Sequence, residues 1–207
     1  MKTLILVSAI ALCACAGRGN AQEPVQITKA SEDSTRKVMV QPGLGTLKQD
    51  EFTIGIRSGN LLVKVTPLSE HIIRLAAPDT YKRLNALAES RRAEVIERTN
   101  IATPEFFLVS FFSYTPDVEF NPEDVQIDYS GKLLRAVQII PLTPAWGTQR
   151  LGQQQTQAAI YVFGEPIDYD LPLILKYGTE QNGEWQRVVS RLQVERTKIL
   201  SRQQKTD

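Results

Sequence analysis

Phe106-Phe107-Leu108-Val109-Ser110-Phe111-Phe112 is the stretch on which the fold turns. It is almost continuously apolar and far too short to span a bilayer, so it predicts a strand covered on both faces at the centre of a sheet. Pro116 and Asn121-Pro122 punctuate the chain after it. Val125, Ile127 and Tyr129 then alternate with Gln126 and Asp128, the pattern of a half-buried strand. Ser130-Gly131 predicts a hairpin turn, because glycine accepts the positive φ that two-residue loops need, and Leu133 to Ile140 is the return strand.

Two further apolar runs, Ala158 to Phe163 and Leu171 to Tyr177, each stop at a glycine. No segment of helical length joins these runs, which favours antiparallel packing. Residues 103–178 are therefore expected to form an immunoglobulin-like antiparallel β-sandwich inside a mainly β, α+β chain.

Upstream, order is expected to begin near residue 51. Phe52, Ile54 and Ile56 alternate, Arg57-Ser58-Gly59-Asn60 turns, and Leu61, Val63 and Val65 alternate again, predicting a hairpin. Thr66-Pro67 has the form of a helix start, with Leu68, Ile72 and Leu75 on one face. Pro78 is expected to break that helix and Asp79 to cap a second one reaching about Arg98. This hairpin and helix pair, residues 51–100, are expected to dock on the sandwich as one globular body with it, residues 51–203. At the other end, Glu184 to about residue 203 predicts an amphipathic helix with Trp185, Val188, Leu192 and Ile199 near one stripe. Its cations, Arg187, Arg191, Arg196, Lys198 and Arg202, face elsewhere. They are either solvated or presented to anionic lipid headgroups or a partner.

The first 15 residues read as a processing segment: Lys2 supplies the positive charge, and Leu4 to Leu12 is apolar but too short for a membrane helix. Leu12-Cys13-Ala14-Cys15 resembles the lipobox of bacterial lipoproteins. The resemblance covers the leader alone and departs from the usual pattern at Cys13. It implies export, acylation of Cys15 as the mature N-terminus and, with Ala16 rather than Asp following, sorting to the outer membrane. Cleavage after Ala16 or near Ala21, giving a soluble periplasmic or secreted protein, stays open. Residues 16–50 are polar, and they read as a disordered tether with a reach of roughly 30 Å.

Both cysteines lie in the leader, so the body has no thiol for a disulfide or a thiolate metal site. Removing Lys2 from the 24 basic residues leaves 23 against 23 acidic ones. A near-neutral chain offers no large basic footprint, so no nucleic-acid partner is expected. Gly43-Leu44-Gly45 lacks the strand and the lysine of a phosphate loop and reads as a turn. His71 is the only histidine, no G-x-S-x-G occurs, and neither a serine triad nor an ordinary zinc site is expected; no cofactor is implied.

Two acidic groups remain. Asp117, Glu119, Asn121 and Glu123 have alternating oxygen spacing, but Pro122 stands where a calcium loop needs glycine; Glu165, Asp168 and Asp170 form the second group. Both read best as solvated turn carboxylates. The long connection Pro141 to Gln155 is the candidate partner-binding loop, with Trp146 for stacking and Arg150 for hydrogen bonding to a glycan or protein. The bland alternative folds Trp146 back over the end of the sandwich. The expected function is a lipid-anchored, non-enzymatic envelope module. The alternative is a secreted or anchored hydrolase with a carboxylate-based site, since the separation of two carboxylates is spatial and hidden in a sequence.

Overall fold

The elements, in chain order, are β1 (Ile54–Ser58), β2 (Leu61–Pro67), α1 (Glu70–Ile73), α2 (Pro78–Thr99), β3 (Glu105–Ser113), β4 (Val118–Glu119), β5 (Val125–Tyr129), β6 (Lys132–Arg135), β7 (Gln138–Pro141), β8 (Arg150–Leu151), β9 (Thr156–Phe163), β10 (Leu173–Tyr177), β11 (Glu180–Asn182) and α3 (Trp185–Gln203). This computed structural model describes residues 39–203; the leader with Cys15, and the expected tether up to residue 38, lie outside the described residues. Every strand ladder is antiparallel, in a five-stranded sheet ordered β1-β2-β3-β9-β7, a four-stranded sheet ordered β11-β10-β5-β6, and a β4-β8 ribbon. The antiparallel sandwich in an α+β chain is as expected, and the strand order does not by itself establish the immunoglobulin-like arrangement.

The opening stretch is the middle strand of the larger sheet, and its alternation builds two layers at once. Phe107, Val109 and Phe111 face the second sheet, in register with Pro67, Val65 and Val63 on β2 and Tyr161, Ala159 and Gln157 on β9. Ile127, Leu173 and Leu175 meet them from the other side, with Trp185 closing the gap. Phe106 points the opposite way, where the Arg92 guanidinium of α2 lies 5.1 Å from its ring centre. Leu84, Ala88 and Val95 form the buried face of α2. Thus β3 is covered on both faces at its Phe106 end, and each fully buried large side chain there contributes roughly 1.5–3 kcal/mol. The Ser130-Gly131 turn has positive φ at both residues, 53° and 78°, as a tight two-residue hairpin requires.

Three expectations for the front of the chain change. The hairpin is part of the main sheet rather than an appendage to it, because β2 pairs with β3 along seven residues. Strand β2 continues through Pro67, and the Leu68 N–H donates to Phe106 O at 2.8 Å, so the chain stays in the ladder where a helix start was expected. Proline is tolerated there because it closes a strand end. The helix α1 begins only at Glu70, and Pro78 is the first residue of α2 instead of a break, since its missing N–H is an orphan at that position.

The tether ends earlier than expected. Val40 and Leu47 are buried, and Leu47 lies beside Ala76 in a parallel bridge, donating to Leu75 O and accepting from Ala77 N–H. A Cβ on Gly45 would fall 2.1 Å from Leu75 O, so only glycine fits that approach. The buried carboxylate of Glu195 on α3 accepts from Thr46 N–H at 3.0 Å and Thr46 Oγ1 at 2.7 Å. Polar composition suggested disorder, whereas a helix far along the chain supplies the order. No helix among the described residues is long and apolar enough to cross a membrane.

Candidate functional site

The two ends of the sandwich are built differently. At the Phe107 and Leu173 end, α3 begins: the Trp185 indole N–H donates to Tyr169 O at 2.8 Å, and Tyr169 leans on Phe107 and Trp185. The opposite end, at Phe111 and Tyr177, is closed only by the loops that carry β4 and β8.

Trp146 sits in the 3-10 turn Pro144–Thr148 and is 8% exposed. Its ring meets Phe111 and Phe120 edge-on, with centroids 5.7 and 5.3 Å apart. The stacking surface expected of Trp146 is therefore corrected: the indole covers the end of the core, because the apolar cluster it completes outweighs exposure. Arg150 is exposed, as expected, and is held in place by Glu119 at 2.8 Å and Asp117 at 3.5 Å.

Beside Arg150 opens a cleft of about 500 Å3, lined by Glu119, Phe120, Asn121, Thr148, Gln149 and Tyr177. A second cavity of about 400 Å3 lies between the free edges of β6 and β7, with Glu123, Arg135, Val137, Ile139 and Tyr161 in its wall. The 3-10 turn Pro122–Asp124 separates the two, and two tyrosines fix it. Tyr161 O–H donates to Pro122 O at 2.8 Å, while the Asn121 N–H donates to Tyr177 Oη at 3.1 Å. Burial pushes both phenols above their ordinary value, so they act as neutral hydrogen-bonding posts.

The calcium-like spacing resolves into local structure. Asn121 Oδ1 accepts from Glu123 N–H at 3.1 Å as a helix cap, and its amide donates to Asp124, while Asp117 and Glu119 turn to Arg150. In the second acidic group, Glu165 pairs with Lys132 at 2.7 Å, Asp168 accepts from Asp170 N–H, and Asp170 faces Arg196 at 3.8 Å. Among the described residues no group of histidine, cysteine and carboxylate side chains is arranged to hold a metal ion. His71 is exposed on α1.

Two features were hidden from the sequence. Glu105 starts β3 and accepts from Tyr169 Oη at 2.8 Å; burial raises its carboxyl above the ordinary value, opposed by that hydrogen bond, one from Ile167 and the charge of Arg92. Glu105 and Tyr169 are 64 positions apart, so no local pattern announces them. Gln157, 1% exposed on β9, donates to Arg150 O at 2.7 Å, while its Oε1 has no hydrogen-bond partner. It is a buried polar floor beneath the loop that carries Arg150. No family model, curated protein or solved structure matches this chain, so the geometry of this end carries the functional reading.

Proposed function

We propose that the chain is an exported, non-enzymatic envelope module, acylated at Cys15, held at the outer membrane, and binding an envelope protein or glycan through its open end. The observation that carries this reading is the cleft beside Arg150. A guanidinium, two side-chain amides, a hydroxyl and a carboxylate (Arg150, Asn121, Gln149, Thr148, Glu119) line it together with the largely buried Phe120 and Tyr177. Such a mixture of fixed hydrogen-bonding groups and an aromatic floor suits recognition of a polar surface. The apolar leader and the lipobox-like Leu12-Cys13-Ala14-Cys15 support delivery outside the cytoplasm.

The hydrolase reading draws less support. Of the four carboxylates at this end, Asp117 and Glu119 engage one guanidinium and Asp124 accepts from the Asn121 amide, while the carboxyl with a raised pKa, Glu105, is engaged by Tyr169 at the other end. A photo-crosslinking residue at Gln149, tested in the producing cell's envelope, is expected to capture a partner that a crosslinker at Gln193 on α3 does not. Equal capture at both positions would remove the open end as the binding surface. Mass spectrometry of the mature N-terminus is expected to find a diacylglyceryl-modified Cys15; an unmodified start after Ala16 or Ala21 would replace the anchor with a soluble protein.

A further inference from the structure

On α3, residues 187, 191, 194, 198 and 202 follow one another at steps of four, three, four and four, which places them in a single stripe. All five are exposed, with Val194 at 55% and the side chains of Arg187 and Lys198 at 80% and 58%. Four are cations and the fifth is apolar. The helix as a whole carries five cations against one carboxylate, Glu195, which is 2% exposed. Beside the stripe, Glu184 pairs with Arg187 at 2.7 Å, Lys198 lies 3.8 Å from Glu195, and Arg191 donates to the neutral Glu51 O.

The exposed cations of α3 and the carboxylates of the far loops lie at opposite ends of the sandwich, and Asp50, Glu51, Asp168, Asp170 and Glu184 add carboxylates at the α3 end. The hydrogen bonds and ion pair from α3 to Thr46, Glu51, Tyr169 and Asp170 hold it at the end near Pro67 and Phe107. The loops at the opposite end, 114–124 and 141–155, carry four carboxylates, Asp117, Glu119, Glu123 and Asp124, against the single cation Arg150. The chain also joins the body on the α3 side, where Thr46 bonds to Glu195. Only 23 residues separate Cys15 from Met39.

We infer that the stripe Arg187, Arg191, Val194, Lys198 and Arg202 rests on an anionic lipid surface, which turns the acidic end with its cleft away from the membrane. Charge complementarity selects the occupant: a basic stripe with one apolar tip touches phosphate headgroups, while the carboxylates at the far end are repelled by the same surface. This inference rests on the proposal of a lipid-anchored envelope protein and adds to it the orientation of the body.

The test uses the full chain carrying Cys13→Ser, Cys15→Ser and Val194→Cys, labelled at the new thiol with a fluorophore. It is added to vesicles of phosphatidylcholine alone or with about one third phosphatidylglycerol, both doped with a headgroup quencher. Quenching is expected on the anionic vesicles, absent on the neutral ones, and reversed by high salt, while a label at Gln153→Cys, exposed in the loop beside Ser113 at the far end, stays bright. Each cation at the surface contributes roughly fivefold in partitioning, so Arg187→Glu with Arg202→Glu is expected to lower it at least about twentyfold. Arg191 and Lys198 are left in place because their contacts with Glu51 and Glu195 belong to the fold. Quenching that ignores lipid charge, or is equal at Gln153→Cys, would overturn the inference. So would a dark stripe on anionic vesicles, the outcome if α3 serves an acidic protein instead. Since acylation is removed, an unmodified mature Cys15 would sink the anchor and leave the vesicle result standing.

Discussion

The α3 end of the sandwich and the Trp146 end solve the same problem, covering the mouth of an apolar core, by opposite means. At the α3 end, polar groups are buried and matched to one another: Glu105 with Tyr169, Trp185 with the Tyr169 carbonyl, Glu195 with Thr46. At the Trp146 end, an aromatic lid of Trp146, Phe120 and Phe111 does the covering, and the polar groups above it stay in water. Matched burial makes a rigid seam, since each partner lost leaves a desolvated group behind. An aromatic lid leaves its outer polar residues available for contact. The cleft beside Arg150 opens at the second end, which is why binding is placed there.

The largest effect that would sharpen this contrast is Trp185→Ala, which empties a 1% exposed site and orphans the Tyr169 carbonyl. It is expected to cost about 4 kcal/mol in urea unfolding. Next comes Thr46→Val, which strips a hydrogen bond from the buried Glu195 carboxylate and is expected to cost about 2 kcal/mol by the same measurement. A negligible loss would mean that residues 40–47 do not belong to the cooperative body. Tyr161→Phe removes one hydroxyl contact to Pro122 and is expected to cost about 1 kcal/mol.

Glu105 gives a pH signature. Its carboxyl is raised in the folded chain, so the fold binds that proton more tightly than the unfolded chain does. The contribution of this group is therefore most favourable below its ordinary value and is lost as pH rises through the raised one. Urea midpoints of Glu105→Gln against pH are expected to lack that component of the slope. Smallest is Arg150→Ala, whose exposed ion pairs with Glu119 and Asp117 contribute no more than about 1 kcal/mol. Stability is expected to hold while partner capture at Gln149 falls.

The parts of the fold legible in the sequence are those whose signal is local. The run 106–112 sits at the centre of its sheet, the Ser130-Gly131 turn has the backbone its residues require, and α3 begins at Trp185. Misreadings came where a distant partner decides. Thr46 and Glu195 lie 149 positions apart, and nothing near Thr46 announces that it is ordered. Pro67 was read as opening a helix and Pro78 as breaking one, whereas Pro67 closes a strand and Pro78 opens a helix. At the candidate site, Arg150 was legible as an exposed cation on a long loop. Burial of Trp146 was one of two readings the loop allowed, and what decides it, the rings of Phe111 and Phe120, comes from two other segments.

The contrast between the two ends is tested most directly by amide hydrogen exchange over the whole body. The account predicts slow exchange in β3, β9 and α3 up to Ile199, near the global unfolding limit, and fast exchange in 114–124 and 143–155. Amides of α3 exchanging as fast as those loops would contradict it, since the seam formed by Trp185 and Glu195 would then not be part of the fold's rigid core.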